Sequence, residues 1–282
     1  MICLVGGQPI PNYIGIKQYG VSQAILLYTK EEEERGFKHL KSVLSSNNVS
    51  CTPHLVGAYD YFGVQALCKT FLESDSQKNI ILNFTGGTKM MSVAAFDMFK
   101  TYKRRAIYVE TFPQRQVFDF DFNKDTMERT PFTVDLTVSE YLPLYGQLIR
   151  SMDSPSTAED KGKELEETVR RQLLTLGFYK FHSNLILGWE DQPSNKAREK
   201  NQVDFIGTRN CQLYIFECKA GELNQNDIAK LKTLNDLAGG TFGKAYLIAN
   251  RISPEIEARA KELRITTVSG DAIFDLRSHI TL

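Results

Sequence analysis

The hydrophobic pattern of the first half alternates between short apolar runs and helical segments. Five apolar runs predict β-strands: ICLVG, AILLY, SCTPHLV, NIILNF and RAIYVE. Helices are predicted between them over about 31–44, 61–72 and 88–102. Because strands that alternate with helices are joined by right-handed crossovers, this half predicts a mostly parallel sheet. The next segment, QVFDFDFN, alternates apolar and acidic positions, which is typical of a half-exposed strand in a terminal hairpin.

The pattern changes at SMDSPSTAED, where a proline stands among serine and threonine residues. That composition is typical of a linker, so we predict a first domain over 1–150, a linker over 151–158 and a second domain over 159–282. The second domain begins with a predicted helix, which is followed by strands in FHSNLILGW, VDFIGTR and QLYIFECK. A helix in DIAKLKTLNDLAGG, a strand in KAYLIAN and a helix in SPEIEARAKEL complete it. Both domains are therefore predicted to be α/β.

Composition argues against several classes of protein but does not identify the function. Lys plus Arg and Asp plus Glu each number 34 in the 282 residues, which argues against coating nucleic acid through bulk charge. Since no run of about 18 apolar residues occurs, no transmembrane helix is expected. The amino terminus lacks a charged leader, so no secretory signal is expected. Five scattered cysteines without metal-ligand spacing predict buried thiols of a cytoplasmic protein.

Two charged residues interrupt the apolar strand LYIFECKA. Because strand side chains alternate between faces, Glu217 and Lys219 point to one side of the sheet. A short turn around 208–210 would bring Asp204 of the preceding strand beside Glu217. Two converging carboxylates repel each other unless a cation lies between them, and their hard oxygen ligands suit Mg²⁺ or Mn²⁺. The alternative is a surface Glu–Lys ion pair on an edge strand, which contributes about 1 kcal/mol or less.

The helix before these strands offers a third carboxylate. Leu165, Val169 and Leu176 form its core-facing stripe, and Glu166 lies at the margin of that stripe. From there Glu166 could reach the edge of the sheet that carries the other two carboxylates, whereas a solvated helical glutamate is the alternative. Glu164 and Glu167 fit better as solvated charges.

Basic residues flank this group along the chain. Five of them could contact the phosphates of a nucleic acid substrate or simply be solvated: Lys196, Arg198 and Lys200 in the loop before Asp204, and Lys230 and Lys232 in the helix after the strand that carries Glu217 and Lys219.

The order of these residues resembles the PD-(D/E)xK nuclease superfamily. Its members carry a glutamate on a helix, an acid on one strand and an acid–any–lysine triplet on the next. Glu166, Asp204, Glu217 and Lys219 match these positions in order, with Val203 in place of the proline. The resemblance implies a restriction-endonuclease-like fold and a metal-dependent nuclease. Its metal ligands would be Asp204, Glu217 and Glu166, and Lys219 would position the attacking water.

Two glycine-rich loops follow predicted strands of the first half. One is TGGTK at 85–89, which leads into an Ala/Met-rich helix, and the other is GGQPIPN at 6–12. Glycine permits close backbone approach, and a helix N-terminus favours an anion. Neither loop has the spacing of a P-loop or of a dinucleotide fingerprint. A tight strand–helix turn with a threonine N-cap is the alternative. A third loop, GAYDYFG, carries aromatics that could equally pack in the core.

Together with the nuclease elements, NFTGGTKMM resembles the CRISPR-associated Rossmann-fold sensor domain known as CARF. The whole chain resembles the sensor–nucleases of type III CRISPR antiviral defence that join CARF to a PD-(D/E)xK domain. The resemblance implies a homodimer that binds a cyclic oligoadenylate second messenger, most often cyclic tetra-adenylate, and is thereby activated. Expected substrates are single-stranded DNA, RNA or both, with nicking of supercoiled DNA. The implied ligand contacts are Gln8, Asn12, Thr85, Gly86, Gly87, Thr88 and Lys89.

Two other partners of the sensor domain fit poorly. A HEPN ribonuclease requires an arginine and a histidine with four to six residues between them, and none of the four histidines has an arginine at that spacing. A winged-helix domain would need a basic recognition helix rather than a strand-borne ExK. Two alternatives stay open: a catalytically silent ligand-binding regulator, and a constitutive DNA repair or restriction nuclease.

Overall fold

The chain forms two compact units, Met1–Val134 and Asp135–Leu282. The computed structural model describes residues 1–74, 79–152, 160–189 and 201–281. The division between the units falls upstream of the boundary expected near 150–158, because residues 138–152 join the second unit. The linker predicted at 151–158 lies mostly outside the described residues and stays a prediction. The basic loop with Lys196, Arg198 and Lys200 lies outside them as well.

The first unit is built on a seven-stranded sheet. Its strands are β1 (Ile2–Leu4), β2 (Gln23–Tyr28), β3 (Ser50–Leu55), β4 (Ile81–Asn83), β5 (Arg105–Glu110), β6 (Gln116–Asp121) and β7 (Thr126–Pro131). They lie in the order β3-β2-β1-β4-β5-β6-β7. The first five strands are parallel, and β6 and β7 form an antiparallel hairpin at one edge. Both the mostly parallel sheet and the terminal hairpin are therefore confirmed.

Helices connect the parallel strands. They are α1 (Ile10–Gln18), α2 (Lys38–Ser46), α3 (Tyr61–Ser74) and α4 (Lys89–Thr101). The sequence did not predict α1, which begins within the segment taken as a glycine-rich loop. Pro9 and Pro11 stand at its start, where the missing proline N–H groups would lack a helical partner in any case. The helix predicted over 31–44 is confirmed only in its second half, where α2 lies. Residues 30–37 instead form a 3₁₀ segment and a π-helical segment that is interrupted at the non-helical Arg35.

The second unit is built on a six-stranded sheet. Its strands are β8 (Gln147–Met152), β9 (Tyr179–Trp189), β10 (Asn201–Arg209), β11 (Gln212–Lys219), β12 (Lys244–Ala249) and β13 (Ile265–Ser269). They lie in the order β13-β12-β11-β10-β9-β8, with β11, β12 and β13 parallel and β8 to β11 antiparallel. Its helices are α5 (Val138–Tyr141), α6 (Asp160–Leu174), α7 (Gln225–Gly239), α8 (Pro254–Glu262) and α9 (Leu276–His279). The sequence did not predict β8, β13, α5 or α9.

A two-residue turn joins β10 to β11 and fixes their register. Asn210 and Cys211 have φ values of 50° and 59°, the left-handed conformation that a type I′ hairpin turn requires at both central positions. Their backbone N–H groups donate to the carboxylate of Asp135 at 2.8 and 2.7 Å. The turn therefore holds Phe205 of β10 opposite Phe216 of β11.

The core of the second unit lies between its sheet and α6. Leu165, Val169 and Leu176 pack there against Phe205 and Phe216, as the predicted core-facing stripe requires. All five cysteines of the chain are free thiols, and four of them are buried. Within the described ranges no helix is long and apolar enough to cross a bilayer.

Candidate active site and glycine-rich loops

The register of the β10–β11 pair places two carboxylates opposite each other. Phe205 is paired with Phe216, so the next positions along the antiparallel strands, Asp204 and Glu217, also face each other. Residues opposed in this way project from the same face of the sheet, with Cβ atoms about 5 Å apart. Phe205 and Phe216 project from the other face into the core. The predicted convergence of Asp204 and Glu217 is therefore what the strand register produces.

The ion pair between Glu217 and Lys219 is more buried than an ordinary ion pair on a protein surface. Glu217 is only 7% exposed, and β11 lies between β10 and β12 inside the sheet. Lys219 Nζ lies 3.1 Å from Glu217 Oε1. Asp204 Oδ2 accepts the Cys218 backbone N–H at 2.7 Å. The alternative of an exposed pair on an edge strand is therefore wrong.

The electrostatics of the pair favour binding of a cation. Burial raises the pKa of Glu217, and the charge of Asp204 raises it further, to about 7 despite the opposing effect of Lys219. Burial also raises the pKa of Asp204. Burial opposes the charged form of Lys219, but Glu217 outweighs it and the pKa of Lys219 is raised. One lysine thus compensates only part of the charge of the two carboxylates.

Two further residues act on this pair through their charge. Burial raises the pKa of Glu166 on α6, with Glu217 raising it further and Lys219 lowering it. Lys230 on α7 is exposed, and its charge lowers the pKa values of both Asp204 and Glu217. Glu166 and Lys230 therefore lie within electrostatic range of the pair.

The neighbouring acids of α6 behave differently. Glu164 is exposed, and Glu167 forms ion pairs with Arg170 and Arg171 at 2.8 and 3.2 Å. Both are solvated charges, as the sequence predicted.

The donor set fits a hard divalent cation. Buried Glu217 and half-buried Asp204 supply carboxylate oxygens on one face, with Lys219 as the counter-charge directly bonded to Glu217. In the part of the chain that the structure describes, no three His, Cys, Asp or Glu side chains are already grouped closely enough to hold a metal ion. Glu166 would have to move its side chain towards the pair to become a third ligand.

The raised pKa of Glu217 predicts a pH-dependent stability. The folded chain keeps this carboxyl protonated up to about pH 7, whereas an unfolded chain releases the proton near 4.5. The stabilisation is complete below pH 4.5 and is lost as the pH rises through about 7, so the free energy of unfolding should fall across this window. Denaturation can be followed in EDTA by the fluorescence of Trp189, the one tryptophan. A Glu217→Gln chain should lack this component, and an identical pH profile would contradict the assignment.

The strand order of the first unit brings the two glycine-rich loops together. β1 and β4 are neighbours although β2 and β3 lie between them in sequence, so the chain reverses direction across the sheet at this point. In open α/β sheets, ligands bind at the carboxyl ends of the strands at such a switch point. A Cβ on Gly6 would lie 3.0 Å from Gly87 N, and a Cβ on Gly86 would lie 2.2 Å from Leu4 O. The glycines thus let the two loops pack backbone to backbone.

The threonine hydroxyls of TGGTK hold the loop in place. Thr85 Oγ1 donates to Asn83 Oδ1 and accepts the Val109 N–H, both at 2.7 Å. Thr88 Oγ1 caps α4 by accepting the Met91 N–H at 3.2 Å, as the alternative interpretation of this loop expected. Both threonine hydroxyls are therefore engaged in hydrogen bonds that hold the loop in place.

The remaining predicted contact residues occupy different environments. Lys89 is exposed in the first turn of α4, and Gln8 is partly buried in the loop after β1. Asn12 is fully buried in α1, where its Nδ2 donates to Leu4 O at 2.9 Å. Asn12 thus stabilises the loop from beneath and is not exposed on its surface.

The sequence analysis missed Asn83. This residue is fully buried at the end of β4, accepts the N–H of Thr85 at 3.1 Å and donates to Pro11 O at 3.2 Å. It ties TGGTK to the segment after β1. An asparagine directly after the apolar residues IIL of the predicted strand NIILNF was the available signal.

The third loop packs against the core through Tyr61 but not through Tyr59. Tyr59 is 82% exposed, and the carbonyl of the adjacent Ala58 accepts a hydrogen bond from Thr88 Oγ1 at 2.5 Å. The loop after β3 is therefore fastened directly to TGGTK. The loop after β1 is close to an acidic side chain: both carboxylate oxygens of Glu32 lie 3.5–3.6 Å from the position that a Cβ on Gly7 would occupy.

These two units define a class of protein, in which an α/β ligand-sensing domain precedes an endonuclease domain. The family model for the Card1 CARF domain matches residues 1–141, and that for the Card1-like endonuclease domain matches residues 159–281. The chain therefore belongs to the Card1 family, and the resemblance found in the sequence is confirmed. The predicted fold class, a Rossmann-like CARF domain followed by a restriction-endonuclease-like α/β domain, is confirmed with it.

Solved structures share the fold across the whole chain. Can2 from Sulfobacillus thermosulfidooxidans, in complex with cyclic tetra-adenylate, matches with a TM-score of 0.84 and 20% identity over 100% of this chain and 99% of its own. Protein VC1899 from Vibrio cholerae matches with a TM-score of 0.79 and 15% identity over 99% and 96%. A type III CRISPR defence DNA nuclease activated by cyclic oligoadenylate has a TM-score of 0.67 and 15% identity, covering 99% of this chain but 50% of its own. No curated protein sequence matches this chain.

Proposed function

We propose that this chain is a metal-dependent endonuclease activated by cyclic tetra-adenylate in type III CRISPR antiviral defence, acting in the cytoplasm. The observation that carries the proposal is that buried Glu217, 3.1 Å from Lys219, lies opposite the half-buried Asp204. Two carboxylates with incomplete charge compensation lower the stability of a fold, and such groups are concentrated at functional sites. The activator is supported by the Can2 complex with cyclic tetra-adenylate and by the nuclease activated by cyclic oligoadenylate.

In the nuclease domain, Asp204 and Glu217 would hold Mn²⁺ or Mg²⁺, with Glu166 as the third ligand. Such an ion neutralises the charge that develops on a phosphodiester during hydrolysis. Lys219 is held beside Glu217, so its ammonium group can orient the attacking water and face the phosphate. Lys230, exposed on α7, adds positive charge on the side from which a nucleic acid strand would approach.

In the sensor domain, the charges indicate how a cyclic nucleotide would be oriented. Lys89 and the N-terminus of α4 favour phosphates beside TGGTK. The carboxylate of Glu32 beside Gly7 disfavours a phosphate there and favours a ribose hydroxyl or a base amino group. We therefore assign the phosphates to the TGGTK side of the switch point.

The protein would act as a homodimer through α3 and α4. Phe62, Met90 and Val93 are 79%, 41% and 58% exposed, and all three lie in the first turns of these helices. The two helices are tied together by the Tyr61 hydroxyl, which donates to Asp97 Oδ2 at 3.3 Å. A two-fold partner would cover these apolar groups and present each loop twice to a ligand of matching symmetry.

A charge placed in this surface should separate the subunits. Val93→Asp is expected to give a monomer in light scattering at concentrations where the parent is a dimer, because two buried aspartates would face each other across the axis. The matched control is Thr101→Asp at the far end of α4, which should remain a dimer. A dimeric Val93→Asp chain would contradict this assignment of the interface.

Ligand-dependent cleavage tests the function directly. With Mn²⁺, the parent should cleave single-stranded DNA, RNA or both, and nick supercoiled DNA, only when cyclic tetra-adenylate is present. Lys89→Ala should shift activation to higher ligand concentration by about tenfold or more, since it removes the exposed cation from the phosphate side. Exposed Lys100 at the other end of α4 provides the matched control, Lys100→Ala.

The outcome also separates the two alternatives. Equal cleavage with and without ligand would favour a constitutive repair or restriction nuclease. Tight ligand binding without cleavage of any substrate would favour a silent regulator.

A further inference from the structure

Tyr59 is exposed in a way that packing within the chain does not explain. Its ring is 82% exposed, although aromatic side chains usually bury much of their apolar surface. The neighbouring aromatic Tyr61 is partly buried and packs against the core of the first unit. The chain thus buries one tyrosine of GAYDYFG and presents the other to solvent.

The loop that carries Tyr59 is firmly held on both sides. Asp60 caps α3 by accepting the Gly63 N–H at 2.9 Å, and its own N–H donates to Gly57 O at 3.1 Å. A Cβ on Gly63 would lie 2.0 Å from Asp60 Oδ2, so the cap is tightly packed. The hydrogen bond from Thr88 Oγ1 to Ala58 O fixes the residue immediately before Tyr59. The backbone that carries the exposed Tyr59 ring is therefore restrained by hydrogen bonds on both sides.

That backbone lies at the edge of the sheet where the ligand would bind. Because β1, β3 and β4 are parallel, the loops that follow them emerge at the same edge. Thr88 is the residue before Lys89, so the Thr88–Ala58 bond places the Tyr59 backbone beside the phosphate side of the switch point. An exposed aromatic ring next to a site for phosphates is the arrangement that nucleotide bases bind by stacking.

We propose that Tyr59 is the stacking platform for an adenine base of the cyclic ligand. This inference rests on the proposed function and adds a base-recognition residue to a site that otherwise offers backbone N–H groups and Lys89 to phosphates. Stacking requires the ring and not the hydroxyl, and it favours the larger purine ring over a pyrimidine.

The test is calorimetric titration of the full chain with cyclic tetra-adenylate in EDTA. Tyr59→Ala should weaken binding roughly 5- to 150-fold, the range measured for loss of one base–aromatic stack. Tyr59→Phe should bind within about threefold of the parent because it keeps the ring. Phe274→Ala, which removes a 67% exposed aromatic from the second unit, should bind like the parent. Cyclic tetra-uridylate should bind the parent more weakly, and Tyr59→Ala should narrow the gap between the two ligands.

The results that overturn the inference differ from those that overturn the function. Parent-like binding by Tyr59→Ala, while Lys89→Ala binds weakly, would overturn the role of Tyr59 alone. A Tyr59→Ala chain that has become monomeric would make Tyr59 a contact between subunits and overturn the stacking role. A parent chain that does not bind cyclic tetra-adenylate would overturn the proposed function and this inference with it. Unchanged thermal unfolding of the variants establishes that each is folded.

Discussion

Glu217→Gln is expected to abolish cleavage while leaving binding of the cyclic ligand intact. Glutamine keeps the size of the side chain but removes the carboxylate that would hold the metal ion. Loss of an outer partner of a metal site costs about 10–100-fold in activity, so loss of a ligand should cost more than about 100-fold. Ligand binding should not change, because TGGTK and Glu217 belong to different units. Cleavage rates with Mn²⁺ and titration with cyclic tetra-adenylate give the two readouts.

The same substitution should stabilise the protein when no divalent cation is present. Glu217 is 7% exposed and faces Asp204, so at pH 8 the folded chain holds two carboxylates with only Lys219 directly paired. Replacing one of them by an amide removes that repulsion, and the free energy of unfolding should rise by about 1–3 kcal/mol. The control Glu164→Gln changes an exposed acid on α6 and should alter neither cleavage nor stability. Cleavage by Glu217→Gln at the parent rate would show that the site is assigned wrongly.

Gly86→Ala is expected to destabilise the sensor domain strongly. The added Cβ would lie 2.2 Å from Leu4 O and 3.0 Å from Gly6 N. Both are backbone atoms of the central strand and its loop, so neither can turn aside as a flexible side chain would. We expect a loss of about 3 kcal/mol in the free energy of unfolding of the first unit, at the upper end for overpacked sites. Hydrogen exchange of β1 and β4 amides would measure this loss.

Gly7→Ala is the matched control for that substitution. Its Cβ would make an ordinary contact, 3.5 Å from Glu32 Oε2, in the same glycine-rich region. Stability should therefore change by less than about 0.5 kcal/mol. Equal destabilisation by the two alanines would show that loop flexibility, rather than contact between the two loops, determines the requirement for glycine.

The pattern of hydrophobic and polar residues was sufficient to predict those elements that depend on local interactions. Alternating apolar runs and helical segments predicted the parallel sheet of the first unit, and the stripe of Leu165, Val169 and Leu176 predicted the buried face of α6. The pattern failed at α1, because two prolines near Ile10 suggested a loop although a helix tolerates proline in its first turn. It failed also at 30–37, where the non-helical Arg35 has no signal in residue type.

By itself the sequence identified the candidate residues for the chemistry: the order Glu166, Asp204, Glu217 and Lys219, and the TGGTK loop with its lysine. Side-chain type and strand alternation are local properties, and they suffice for that. Only the tertiary structure decided which of these residues meet. The turn at Asn210 and Cys211 sets the register that opposes Asp204 to Glu217, and the inner position of β11 buries Glu217. Strand order likewise joins the loops after β1 and β4 and exposes Tyr59 beside them, because pairing between distant strands is not encoded in any one segment.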